Sequence, residues 1–215
     1  MGSLRWPLFG LRVCTPRLEL RYIDDELARA LAELAIDGVH PPDVMPFNVP
    51  WTRQSPDVMR SEYPKYVWAS RATFCPEDWS LRCAVLVDGE VVGVQDAFAK
   101  DFAVTRQLET GSWLGLRFQG QGLGTEMRAA ILHLAFDGLG AVRATSGAYE
   151  DNPVSAAVSR KLGYRDDGWT IMNREGAPAR LNRFALAREE WLPGRRDDIT
   201  IKGLAPCLPL LGLDS

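Results

Sequence analysis

The segment RFQGQGLGTEMRAA, residues 117–130, places glycines at positions 120, 122 and 124, and a helical pattern begins directly after them. Glycine is poor helix material, so its clustering at a helix entrance needs another reason. Without a Cβ, backbone can come close to a ligand. The first N–H groups of a helix lack intrahelical partners, and the helix dipole favours negative charge beside them. Gln119, Gly120, Gln121, Gly122, Leu123, Gly124 and Thr125 are therefore a candidate anion cradle. A GxxxxGK[ST] loop requires a lysine after its last glycine, and residue 125 here is Thr. A dinucleotide turn requires GxGxxG and an acidic residue about 20 positions on, at the end of the next strand. Asp137 instead closes the same helix, and the strand before the glycines belongs to a meander. Neither nucleotide motif is present.

Further polar residues sit where chemistry or capping would use them. Asn152 opens NPVSAAVSRKLGY, residues 152–164, and Ser155 and Ser159 share one face of that helix at i and i+4. Asn152 can cap the helix, and a serine near a helix entrance can simply bond the backbone. Glu109 lies at the start of the β-rich run LETGSWLGL, just after Leu108, and Asp96 lies inside the run EVVGVQDAFAK. A carboxylate in an apolar run needs a partner or a function; which face Asp96 takes is left open. His133 reads as structural. The two histidines and four scattered cysteines (Cys14, Cys75, Cys83, Cys207) form no metal set and no CxxC pair, which points to reduced thiols.

Gln119, Gly122 and Gly124 form Q-x-x-G-x-G, which resembles the pyrophosphate loop of the GNAT N-acyltransferases. Residues 152–164 are similar to that family's second hallmark, N-x-x-[AS]-x-x-x-x-x-K-x-G-[FY]. The runs TPRLELR and ETGSWLG resemble the branch of the bacterial ribosomal-protein alanine acetyltransferases RimJ and RimL, and the resemblance extends over residues 15–191. It implies a sheet with a V-shaped splay that takes the pantetheine arm of coenzyme A. Backbone near Leu114 and Leu116 would bond that arm, the glycine loop the pyrophosphate, and Asn152, Ser155 and Ser159 would lie beside the cofactor. The co-substrate would be an acyl-CoA, acetyl-CoA by default with succinyl-CoA open, and no metal would take part. The acceptor would be a primary amine on a protein N-terminus, a lysine or a small molecule.

The resemblance also assigns roles, with gaps. Many members place a proton-donating tyrosine seven residues after the asparagine; this chain has Ser159 there. Ser155 matches the serine given that role in the RimL-like branch. Glu109 stands where members of the branch carry an acidic residue and is the first candidate base, with Asp96 the second. The branch's assigned base falls near Arg174, which cannot accept a proton, and the adjacent Glu175 would face the other side. Catalysis by positioning, with water carrying the proton, stays open. So does a CoA-binding regulatory or scaffold protein that has lost turnover.

These residues need a frame. RLELRYI reads as a strand; DDELARALAELAIDG reads as a helix capped by Asp24, striped by Leu27, Leu31 and Leu34, and ended by Gly38. The next loop carries four prolines between His40 and Trp51, with Met45, Phe47 and Trp51 either clamped to the core or walling a pocket. Residues 55–74 look helical in pieces, broken at Pro64. Asp88-Gly89 suits a type I′ turn between two β-rich runs, and residues 108–116 complete a meander. Residues 125–136 read as a helix with Met127, Ile131 and Leu134 on one stripe; AVRATSGAY, NPVSAAVSRKLG and LNRFALAREEW read as strand, helix and strand. The order β, α, α, three β, α, β, α, β predicts an α/β (α+β) fold, a mixed, mostly antiparallel sheet with helices on both faces.

The expected organisation is an N-terminal extension (1–14), one acyltransferase domain (15–191) and a C-terminal appendage (192–215) holding a β-like DITIKGL and the apolar CLPLLGL. The 215 residues suffice for one domain core. A net charge of −3 gives no reason to expect nucleic-acid binding. The apolar run at the start is too short for a signal peptide, and Trp6 stands where myristoylation after Met1-Gly2 needs Ser or Thr. No segment approaches the roughly 20 apolar residues of a membrane span. A cytoplasmic protein is expected, with a homodimer open.

Overall fold

The computed structural model describes residues 6–213; the Met1-Gly2 start considered above lies outside them. In chain order the elements are β1 (Arg12–Cys14), β2 (Glu19–Tyr22), α1 (Asp25–Asp37), α2 (Pro56–Ala72), β3 (Asp78–Val87), β4 (Glu90–Lys100), the short α3 (Phe102–Thr105), β5 (Gln107–Leu114), α4 (Leu123–His133), β6 (Arg143–Tyr149), α5 (Pro153–Lys161), β7 (Arg165–Arg174), β8 (Ala177–Ala187), the short α6 (Arg188–Trp191) and β9 (Thr200–Lys202). Among the described residues no helix is long and apolar enough to cross a membrane.

Local signals in the chain produce these elements. The Asp24 carboxylate accepts the Leu27 N–H at 2.9 Å and opens α1, whose Leu31 and Leu34 are buried. Asp88 and Gly89 both take positive φ, 50° and 85°, as a type I′ turn demands, and join β3 to β4. α2 departs from expectation: it runs unbroken through Pro64. A helix-interior proline costs about 3 kcal/mol. Met59, Tyr63 and Val67, spaced four apart on one face, are all buried, and at roughly 1.5–3 kcal/mol each they outweigh it. Periodicity also misses β1 and β7. β1 has three residues, and β7 is an edge strand with little burial on either face, so it carries no alternation.

The nine strands form one sheet in the order β7-β8-β6-β5-β4-β3-β2-β1-β9. Only β5 and β6 pair parallel; all other neighbours are antiparallel. Helices cover both faces. α1 and α2 bury Leu31, Met59 and Val67 against Ala84, Leu86 and Val94. On the other face α4 and the turn after it bury Met127, Ile131 and Leu134 against Cys83, Val85, Leu108 and Leu186. β9 pairs with β1, and Ile199, Cys207, Leu211 and Leu213 join the α4-side core, so the tail packs on the domain itself.

The parallel ladder is short. It runs from Gln107–Arg143 to Thr110–Ser146 and stops. Beyond it β5 stays with β4 as far as Leu114, while β6 stays with β8 as far as Tyr149. Gly93 lets β4 draw the end of β5 close, because a Cβ there would overlap the Trp113 carbonyl. The two strands therefore part into a fork whose arms are residues 111–114 and 147–149.

Candidate active site

Backbone direction alternates along a strand. The Gly115 N–H donates to the Val92 carbonyl, toward β4. The N–H groups of Ser112 and Leu114 therefore turn the other way, into the fork. Leu116 differs from expectation: its N–H donates to the Gly38 carbonyl at 3.0 Å, because the chain has already entered a 3₁₀ turn, Leu116–Phe118. The Gln119 amide is equally committed, donating to the Val39 carbonyl at 2.7 Å and the Leu114 carbonyl at 2.9 Å. Gln119 thus ties α1, the β5 arm and the glycine loop together.

The loop then opens. Gly120 and Gly122 take φ of 73° and 79°, the left-handed region that penalises side chains. Nothing lies within 4 Å of where a Cβ on Gly120 would stand, and at Gly122 only Arg17 Nη2 does, at 3.5 Å. Gly122 caps α4 without a side chain. The N–H groups of Leu123, Gly124 and Thr125 have no acceptor among the described residues. Donors, space and helix dipole coincide at the foot of the fork, and the residues fit an anion such as a pyrophosphate. The Gln121 amide donates to the Arg117 carbonyl, keeping the turn closed. Glu126, one turn into α4, resists the effect of its burial: bonds from the Thr15 hydroxyl (2.5 Å) and Arg17 (2.6 Å) hold its carboxyl below the ordinary range.

α5 begins where the β6 arm ends. The Asn152 Oδ1 accepts the Ser155 N–H at 3.2 Å, an N-cap. The two serines then differ. Ser159 is fully buried and its hydroxyl donates to the Ser155 carbonyl at 3.4 Å. Ser155 is half-buried, and its hydroxyl has no partner among the described residues.

Glu109 lies on the α1/α2 face of the sheet, paired with Phe98 and Thr145, just before the fork opens. It is exposed at the surface of the sheet. Partial burial raises its carboxyl, and Arg183 works against that rise. Asp96 takes the same face but points under α2. It pairs with Arg82 at 3.0 Å, and Arg82 in turn bonds Ser70 and stacks 4.4 Å over the Tyr66 ring. Burial pushes Asp96 up to about 6, with Arg82 opposing, and its Oδ1 has no partner among the described residues.

The proline-rich loop is clamped to the domain. Arg174 donates to the Met45 carbonyl (2.9 Å), holds Asp151 through two bonds and lies 4.3 Å over the Tyr149 ring. Tyr149 donates to Asn48 at 3.1 Å, and Arg53 pairs with Glu175 at 2.5 Å. Phe47, Trp51 and Trp113 then pack in series as tilted ring pairs, with centroids 5.2 and 5.7 Å apart, so the loop closes over the β5 arm. Arg174 is thus a brace, and Glu175 sits in the β7–β8 turn facing Arg53.

Periodicity gave no hint of these clamps, since they join residues far apart in sequence. It also passed over Arg128, buried on α4 against Ser112 and Ser146. The available signal was a charge inside a helix that is apolar nearly all round. His133 packs against Trp191 on the far part of α4. Among the described residues no three His, Cys, Asp or Glu side chains gather as a metal site.

A family model described as an acetyltransferase (GNAT) domain matches residues 17–165. YdaF of Bacillus subtilis, provisionally named a ribosomal N-acetyltransferase, is 24% identical over 184 residues, 81% of this chain and 93% of that protein. Among solved structures, Mycobacterium smegmatis RimJ in complex with CoA-disulfide aligns with a TM-score of 0.67 at 21% identity, covering 86% of this chain and 93% of that one. RimL, a ribosomal L7/L12 alpha-N-protein acetyltransferase in complex with coenzyme A, aligns with a TM-score of 0.61 at 21% identity, covering 80% and 95%. These two likenesses concern the fold.

Proposed function

The chain belongs to the GNAT acetyltransferase family, and from that premise we propose that it moves an acetyl group from acetyl-CoA to a primary amine on a protein. One observation carries the reading. The β5–β6 ladder stops at Thr110–Ser146, leaving strand donors open in a fork that leads to an uncapped helix start. A pantetheine arm can add to the Ser112–Leu114 edge as a strand would, and its pyrophosphate meets the N–H groups of Leu123, Gly124 and Thr125. Acetyl-CoA supplies the thioester, in which the C–S bond breaks as the amine bonds the carbonyl carbon. Glu109, at the mouth of the fork on the acceptor side, takes the proton that the amine must lose. Ser155, with its free hydroxyl on α5, gives one to the departing sulfur. Asn152 holds Ser155 by capping the helix that carries it. Asp96 and Ser159, both internally bonded, shape the site. A protein acceptor is favoured by the names borne by RimL and YdaF; succinyl transfer remains the finer alternative to acetyl.

Arg174 standing where a base is expected favours a second reading, CoA binding without turnover. Thermal unfolding combined with free-thiol release separates the two. Acetyl-CoA at 100 times its Kd should add about 2.7 kcal/mol, a rise of roughly 5–10 °C in Tm for a chain of this size. Gly122→Val should abolish that rise, since a β-branched side chain at positive φ both strains the turn and fills the cradle. Peptides with a free N-terminus should release thiol. Stabilisation with no thiol release from any amine supports the second reading, and no stabilisation removes both.

A further inference from the structure

Arg128 is a buried cation whose hydrogen-bond partners are all neutral. It is 3% exposed. Nη1 donates to Ser146 Oγ on β6 at 2.9 Å, Nη2 to Ser112 Oγ on β5 at 2.9 Å, and Nε to Gln95 Oε1 on β4 at 3.4 Å. The Tyr164 hydroxyl lies beside it, bonded also to Thr110. No carboxylate pairs with it among the described residues. On the neighbouring strands Asp96 and Glu109 alternate to the opposite face, and Glu126 on its own helix is held by Arg17.

Its place in the topology is specific. Ser146 is the last β6 residue paired with β5, and Ser112 lies two residues past the last pair on the other arm. The guanidinium therefore grips both arms where they part. A guanidinium stays protonated, and a buried charge without a counter-charge is strongly unfavourable. A methionine would fill the volume without that penalty, as Met127 does next to it.

We propose that Arg128 is a positioning residue that sets the opening of the fork and holds a positive charge there for the sulfur that leaves as thiolate. The missing counter-charge then arises within the reaction: as the thioester C–S bond breaks, its electron pair stays on sulfur until a proton reaches it. The inference rests on the reading that coenzyme A occupies the fork.

The test is the ionisation of the thiol of bound coenzyme A, read as thiolate absorbance against pH, with the desulfo-CoA complex subtracted and CoA affinity measured by calorimetry. An opposite charge nearby lowers an acid's pKa by about 1–3 units, so the bound thiol should ionise about one pH unit or more below free CoA. Arg128→Met should erase that depression while CoA still binds, and Arg128→Lys should restore most of it. A bound thiol that ionises as free CoA does, or a depression that survives in Arg128→Met, overturns the proposal. Should Arg128→Met fail to fold, Ser112→Ala with Ser146→Ala releases the guanidinium from both arms. Loss of the depression with CoA bound then supports the proposal, and an unchanged depression overturns it. A wild-type protein that does not bind CoA at all refutes the functional reading beneath it.

Discussion

Two serines one helical turn apart show how much the surroundings of a side chain decide. Ser159 gives its hydroxyl to the helix behind it, whereas the Ser155 hydroxyl, at the end of the β6 arm, has no partner among the described residues. The two carboxylates divide similarly. Asp96 is paired with Arg82 beneath α2, and Glu109 stands at the mouth of the fork. A base must be deprotonated to act, and burial raises the Glu109 carboxyl, Arg183 opposing. kcat/KM should therefore climb with pH along a limb lying above the ordinary glutamate range. In one pH–rate series, Glu109→Gln should flatten that limb and Asp96→Asn should keep it. Ser155→Ala should lower the whole profile about 100-fold with CoA affinity unchanged, and Ser159→Ala should have little effect. A limb that persists in Glu109→Gln removes Glu109 as the base. A rate unchanged in Ser155→Ala removes Ser155 as the acid. The pairings behind these assignments were not legible in the chain, because an alternating strand gives no sign of which face lies under a helix.

Elements position this site through their ends and edges. The fork exists because β5 leans toward β4 and β6 toward β8, and α4 and α5 each start at its arms. The loop that closes over the β5 arm has only a short 3₁₀ turn, Trp51–Arg53, and is held by Arg174, Tyr149 and Arg53. Cutting that hold should affect the acceptor more than the donor. Arg174→Ala removes bonds to Met45 and Asp151 and the stack on Tyr149, so KM for a peptide acceptor should rise about tenfold, the loss of roughly 1.4 kcal/mol. Kd for acetyl-CoA should stay within a factor of two. Equal changes in both would show that the loop supports the fork itself rather than the acceptor. Caps, the Asp88-Gly89 turn and the two glycine- and asparagine-led helix starts were legible, since each is fixed by a few adjacent residues. The unbroken α2, the exposed edge strand β7 and the loop clamps were not. Each depends on packing against segments distant in sequence, which overrides or leaves no local pattern.

At the scale of the whole molecule, the fork lies toward one side of the sheet and the tail closes the opposite edge. β9 adds to β1 five strands from β5, and the 3₁₀ segment Ala205–Leu211 places Cys207 and Leu211 in the core shared with Leu8 and Phe102. A detachable appendage would leave the domain's stability unchanged when altered. A tail that completes the core would not. Leu211 is fully buried, and truncating such a leucine costs about 3 kcal/mol, or roughly 6–12 °C of Tm in a chain of this length. Leu211→Ala should therefore unfold much earlier on heating while binding acetyl-CoA with unchanged affinity at 25 °C, because β9 lies five strands away from the β5 arm. Calorimetric unfolding and titration on the same preparation check both halves. An unchanged Tm would mean that the tail rests on the domain without stabilising it. A lost affinity at full folding would mean that the edge strands set the width of the fork across the sheet.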